Sequence, residues 1–302
     1  MTSLPEKRIR DVFADAGCIG WLHARRVGPT DDGVPAVSVD GDDLVVTASV
    51  YKLPLLVALC RAFDAGTLSP TSTVRVNPGD CTPGPTGVSM FRDPVVMSWR
   101  DLALSMMTVS DNAAADLVLG GVGLDAVDRV LTDLCLARTR IVGGTADAHR
   151  KLVIDSHAHT TAEAFAALAD NDDAWTVSAY DPSYASATTP QEMTALLDAI
   201  WTDRAVSPVQ GEFIRQVMAA QVWQHRIRSG FPYADVTVAG KTGTIGAIRN
   251  EAAVVTFPGE IPVAVAVFTR AARADPLLPV VDQAIGRAAQ IAVSELRSGR
   301  IE

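Results

Sequence analysis

No run of about 18 apolar residues occurs anywhere in the 302-residue chain, so no stretch can cross a bilayer as a helix. The opening residues, MTSLPEKRIRDVFADAG, lack the apolar core of a secretory signal, and the chain reads as cytoplasmic. Basic residues are also in deficit. Lys and Arg number 26 against 35 Asp and Glu, a formal net charge of −9, which excludes a general nucleic-acid binder. A small anionic substrate remains open, because a local basic pocket can sit on an acidic protein. Cysteine is scarce. Cys18, Cys60, Cys81 and Cys135 form no CxxC pair and fit no zinc spacing, so they read as reduced thiols. The pair His157 and His159 has no identifiable third ligand, and neither a metal nor an organic cofactor is implied. What is present is ordinary globular usage, 48% hydrophobic and 20% charged, which rules against a disordered chain or a coiled coil.

Strand-like composition appears at residues 18–28 and 44–48, around the turn-rich GPTDDG, and predicts a first hairpin. Residues 49–65 read as a helix, with Leu53, Leu56, Cys60 and Phe63 at helical spacing and Gly66 as a stop. Residues 69–98 are rich in Pro, Gly, Ser and Thr and read as a surface connection. Helices follow from Ser98, which opens a capping pattern, then over Asn112–Leu119 and Leu124–Leu136. Apart from Thr161–Ala169, residues 143–187 are long and polar for a compact domain, which suggests a functional or variable loop. Helices at 190–201 and 211–221 precede three strands, 236–240, 251–257 and 261–269, and the chain closes in an amphipathic helix. The fold class expected is α+β. An antiparallel sheet is flanked by helices from both termini, with an all-helical lobe inserted. A single domain spans 1–302, its α/β lobe about 1–48 and 205–302 and its helical lobe about 49–204.

Three short motifs carry chemistry. Ser49-Val-Tyr-Lys52 stands at a helix start, where residues three apart share a face. A serine hydroxyl becomes a nucleophile when a neutral amine removes its proton, and backbone N–H groups at a helix start can hold an oxyanion. Ser110-Asp111-Asn112 lies between two helices, where a hydroxyl can relay a proton and an amide can bind a carbonyl. Lys241-Thr242-Gly243 lies at the end of the predicted strand VTVAG and suits an anionic ligand. Each motif alone has a plainer explanation: a cap, a capping turn or a strand end.

Together, in this order and context, they form one constellation. The sequence resembles the class A β-lactamases and their penicillin-recognising serine-hydrolase relatives over residues 18–298. SVYKLPLLVALCRAFDAGTLS is similar to their nucleophile helix, MSWRDLALSMMTVSDNAAADLVL to their helix–SDN–helix unit, and ATTPQEM to the end of their omega loop. VAGKTGTIGAIRNEAAVV with PVAVAVFTR is similar to their core strands. The resemblance implies a β-lactamase/transpeptidase-like fold and an acyl-enzyme hydrolase. Ser49 would be the nucleophile and Lys52 its base or proton relay. Ser110 would shuttle a proton to the leaving nitrogen, and Asn112 would hold a side-chain amide of a small-molecule substrate. Lys241, Thr242, Gly243 and Thr244 would receive the substrate's carboxylate, with Arg249 as a further guanidinium. Backbone N–H groups of Ser49 and Thr244 would form the oxyanion hole.

One departure stands out. The family's omega-loop Glu, which activates the deacylating water, has no counterpart. No glutamate occurs between Glu163 and Glu192. Asp172, Asp173 and Asp181 are the available carboxylates, and Asp173 lies at about the right distance before Thr188-Thr189-Pro190. In QVWQHRIRSGFP, Trp223, His225 and Arg226 are placed to line the cleft, and His225 is a second candidate for deacylation. Without such a group, three alternatives to a β-lactamase stand: an esterase of different geometry, an acyltransferase, or a penicillin-binding sensor that stays acylated.

Overall fold

The computed structural model describes residues 3–29, 35–170 and 177–298. Five antiparallel strands form the main sheet: β1 (Cys18–Arg26), β2 (Val37–Val39), β7 (Thr237–Ile245), β8 (Ile248–Thr256) and β9 (Val263–Ala271). Their order is β2-β1-β9-β8-β7, so the first and last strands of the chain meet in one sheet and β7 is an edge. The sequence of β8 explains its central position. Every residue from Ile248 to Val255 is buried, which only a strand covered on both faces can accept.

One face is covered by α1 (Leu4–Asp15) and α10 (Pro279–Ser298). A reciprocal capping box starts α1: Glu6 N–H donates to Ser3 Oγ at 3.4 Å and Ser3 N–H to Glu6 Oε2 at 3.1 Å. Ile9 and Phe13 then pack with Val265, Val267, Ile285 and Val293. The opposite face meets the helical part of the molecule. At its centre runs α2 (Lys52–Asp64), whose first nine residues are all buried. Apolar residues on every side of a helix mark it as a core helix. Around it lie α3 (Trp99–Thr108), α4 (Asn112–Val122), α5 (Leu124–Asp133), α8 (Pro190–Trp201) and α9 (Pro208–Ala219).

Several expectations need correction. The strand at 44–48 does not pair with β1. Its core, β3 (Val45–Val46), pairs with β6 (Ala187–Thr188), while β1 takes the later β2. The turn between them, GPTDDG, lies mostly outside the described residues. The stretch 69–98 is not only a connection. It holds the hairpin of β4 (Thr73–Val76) and β5 (Val95–Ser98). The long polar segment contains α6 (Thr145–Asp155) as well as α7 (Thr161–Asp170). Only Thr145 and Leu152 of α6 are buried, which is why it shows no apolar stripe. Among the described residues, no helix is long and apolar enough to cross a membrane.

Sheet and helices are locked together at Asn250 on β8, which is fully buried. Its Nδ2 donates to the carbonyls of Val46 at 2.8 Å and Thr47 at 3.2 Å, and its Oδ1 accepts from Thr269 N–H at 3.2 Å. The residues it holds lead directly into Ser49. N250A removes the Asn250 partner of Val46 O and Thr269 N–H, while Thr47 O keeps Val50 N–H, and should lower the unfolding free energy by about 3 kcal/mol. Urea denaturation checks this: the midpoint should fall with an unchanged slope.

Candidate active site

Ser49 sits in a 3-10 turn, Ala48–Tyr51, that runs straight into α2. Side chains three apart eclipse in a 3-10 turn, so Ser49 and Lys52 stack on one side. The entry is bent sharply, with Ala48 at φ 44°, a left-handed conformation unusual for alanine. Thr47 anchors it, since its N–H donates to Ser186 O at 2.9 Å.

Lys52 is completely buried. Its Nζ lies 2.8 Å from Ser110 O, 3.2 Å from Asn112 Oδ1, 3.3 Å from Asp111 O and 3.4 Å from Ser110 Oγ. Burial pushes the amine down to about 7, against the pull of Asp111 and Asp116. Lys241, also fully buried, donates to Ser110 Oγ at 2.9 Å and to Thr242 O at 2.7 Å. Burial lowers its amine well below the usual lysine value, and the charge of Lys52 lowers it further. Two lysines from distant parts of the chain thus converge on one hydroxyl.

The Ser110 turn is itself strained, with φ 60°. Asp111 holds it. This fully buried carboxylate accepts from Val88 N–H at 2.7 Å, Ser105 Oγ at 2.7 Å, Ser89 Oγ at 3.0 Å and Ala114 N–H at 3.2 Å. A side chain on Gly87, at φ 64°, would collide with that carboxylate. Sequence reasoning reads Asp111 as part of a capping turn and misses its clamp. Asn112 Nδ2 donates to Pro83 O at 3.0 Å, and its Oδ1 receives Lys52.

Lys241, Thr242 and Gly243 lie inside β7, not in a turn after it. Only β8 pairs with this strand, so every second N–H on β7 points away from the sheet. Thr242 N–H points that way and meets Gln221 Oε1 at 2.7 Å. A strand's period of two puts Thr244 N–H on the same free edge. Gly243 lets β7 approach the Ser49 turn: a Cβ there would stand 2.7 Å from Thr47 O and 3.1 Å from Ser49 N. Behind the strand, Gln221 Nε2 donates to Glu251 Oε1 at 2.8 Å, and Ile227 N–H to Glu251 Oε2 at 2.7 Å. Burial raises Glu251 to about 7.

Arg226 stands next to the strand and is almost wholly buried. It donates to Gly243 O at 2.9 Å, Asn250 O at 2.8 Å, Thr244 Oγ1 at 2.7 Å and Asp282 Oδ1 at 2.7 Å. Arg249 is buried too. Its Nη2 donates to the carbonyls of Asp275 at 2.8 Å and Pro276 at 2.9 Å, and its Nε has no hydrogen-bond partner. His225 is at the rim, its Nε2 3.8 Å from Asp282 Oδ2 and its ring edge-on to Trp223. Partial burial lowers its imidazole below the usual value, and the Arg226 charge adds to this. Asp181 is exposed and accepts from Ser183 N–H at 2.7 Å, away from the cleft. Asp172 and Asp173 lie outside the described residues. Ser49, Ser110, Asn112, Thr242, Thr244, His225 and Arg249 all line one cavity of about 1210 Å³.

The model of the beta-lactamase enzyme family matches residues 4–296. The chain belongs to that family. Its relatives include the beta-lactamase regulatory protein BlaB of Streptomyces cacaoi, 28% identical over 281 residues, which covers 87% of this chain and 88% of BlaB. The beta-lactamase of Sphaerobacter thermophilus superposes with a TM-score of 0.76 at 22% identity over 96% of each chain. PBP-A superposes with a TM-score of 0.76 at 18% identity over 97% of this chain and 96% of its own. The fold is therefore β-lactamase/transpeptidase-like.

Two outcomes follow from this geometry. If neutral Lys52 takes the serine proton, the acylation rate should rise with pH through about 7 and level off above it. E251Q should keep that limb, which separates Lys52 from the glutamate behind β7. G243A should push β7 off the nucleophile turn and slow acylation about a hundredfold, read by stopped-flow labelling.

Proposed function

We propose that this protein forms an acyl-enzyme at Ser49 with a β-lactam, or an amide or ester of related shape that carries a carboxylate, and hydrolyses it. The observation that carries this reading is the convergence of buried Lys52 and Lys241 on Ser110 Oγ, at 3.4 and 2.9 Å, beside a half-buried serine. Neutral Lys52 takes the Ser49 proton as Oγ attacks the carbonyl carbon. The oxyanion that forms is held by the N–H groups of Ser49 and Thr244. Ser110 then carries the proton from Lys52 to the leaving nitrogen or oxygen, and the bond to the leaving group breaks. Lys241 donates to the Ser110 hydroxyl and holds it in line, while Thr242 and Thr244 meet the substrate's carboxylate, with Arg249 as a further guanidinium. Asn112 meets the side-chain amide of the substrate. Arg226 and Arg249 both face Asp282 at this end of the cleft.

A second reading has its own support. BlaB, named a regulatory protein, matches this chain over most of both lengths. A protein that acylates and stays acylated would act as a sensor of its ligand and need no water activator. An intracellular esterase would use the same nucleophile on another acyl donor, and an acyltransferase would pass the acyl group to an acceptor other than water.

Intact-protein mass after mixing with excess benzylpenicillin separates these readings. A mass gain that appears and decays while penicilloate accumulates is expected of the hydrolase. A gain that persists indicates the sensor. S49A should show no gain, and persistent labelling of S49A would remove Ser49 from the mechanism.

A further inference from the structure

The deacylating water has no omega-loop glutamate to activate it, and the carboxylates of α6 and its neighbours are engaged. Asp147 Oδ2 accepts from Gly144 N–H at 2.9 Å, Asp155 Oδ2 from Ser178 N–H at 2.8 Å, and Glu163 Oε2 from His159 N–H at 2.9 Å. Asp116 accepts from Thr145 N–H at 2.7 Å and Ala146 N–H at 2.9 Å, which fixes the first turn of α6 against α4. Thr145 Oγ1 meets Tyr51 OH at 3.0 Å, only two residues beyond the nucleophile. The residue one turn further along this face of α6 is His149. It lines the same cavity as Ser49. Phe165 of α7 holds its ring edge-on, with centroids 5.7 Å apart. Its Nδ1 is buried and has no hydrogen-bond partner. That leaves Nε2 as the nitrogen available to the cavity. A buried polar group without a partner in a cleft is a functional signal.

We propose that His149 is the base that activates the deacylating water in this site. The inference rests on acylation at Ser49, as proposed above. Nε2 takes a proton from the water, and the water oxygen bonds to the acyl carbon. The tetrahedral intermediate collapses, the C–Oγ bond breaks, and Ser49 Oγ takes the proton back from His149. The product acid ionises to solvent. Burial lowers the imidazole, Asp116 on α4 raises it and Lys52 on α2 lowers it, so the ring is neutral and able to accept at pH 7. Asp147 and Lys151, on the same helix, also line the cavity, and their side chains are engaged by Gly144 N–H and Tyr184 O.

The test is the lifetime of the benzylpenicillin adduct in the wild type, H149A and H149Q, followed by intact-protein mass. Both variants should acylate within about twofold of the wild-type rate, which shows that they are folded, and deacylate about 100- to 10,000-fold more slowly. Added imidazole should shorten the adduct lifetime in H149A. Wild-type decay in both variants would overturn the proposal. Slow decay in H149A with wild-type decay in H149Q would reduce His149 to a packing role and overturn it as well. A wild type that acylates permanently would overturn it while Ser49 stands as nucleophile. A wild type that never acylates would remove the Ser49 reading and this inference with it.

Discussion

Two ammonium groups do not share one buried hydroxyl comfortably. Each has lost its hydration, and each repels the other through a medium far less polar than water. The low-energy answer is for one of them to give up its proton. Lys52 and Lys241 are both sealed from solvent, and both reach Ser110 Oγ. The fold therefore supplies a neutral amine near pH 7 one turn from a serine. The rest of the architecture keeps the two lysines where they are. Asp111 ties down the Ser110 turn with four donors, and the Gln221–Glu251 pair holds β7 from behind.

The free edge of β7 is the second constraint. A central strand would spend all its N–H groups on neighbours. An edge strand keeps half of them for a substrate. Gly243 allows that edge to approach Ser49 N, and Asn250 holds the nucleophile turn from the next strand. Sheet order, one glycine and one buried amide together decide whether two N–H groups can face one oxyanion.

Much of this is legible in the linear sequence, because the chemistry sits in short local motifs. Ser49 and Lys52 are one turn apart, Ser110 to Asn112 form one turn between helices, and Lys241 to Gly243 are consecutive. The core strands are legible from their apolar runs. Other features depend on contacts far apart in the chain. β3 reads as the partner of β1 because they are near in sequence, yet it pairs with β6. Helix α6 hides because almost none of its residues are buried. Asp111 reads as part of a capping turn until its burial and four donors are seen, and nothing in the linear sequence marks the two N–H groups that Asp116 holds. His149 gives no signal in sequence at all, since an unpartnered nitrogen is a property of the packed wall around it. His225 reads as a cleft residue and does line the cavity, but at its rim and beside Asp282.

Burial, more than the motif around it, lowers the Lys52 amine. Carbon-13 NMR of Cε-labelled lysines tests it most directly, with the Lys52 signal assigned by its loss in K52R. A titration near 7 is the result this account predicts. An ammonium that persists to about pH 10, the value of an ordinary lysine, would contradict it.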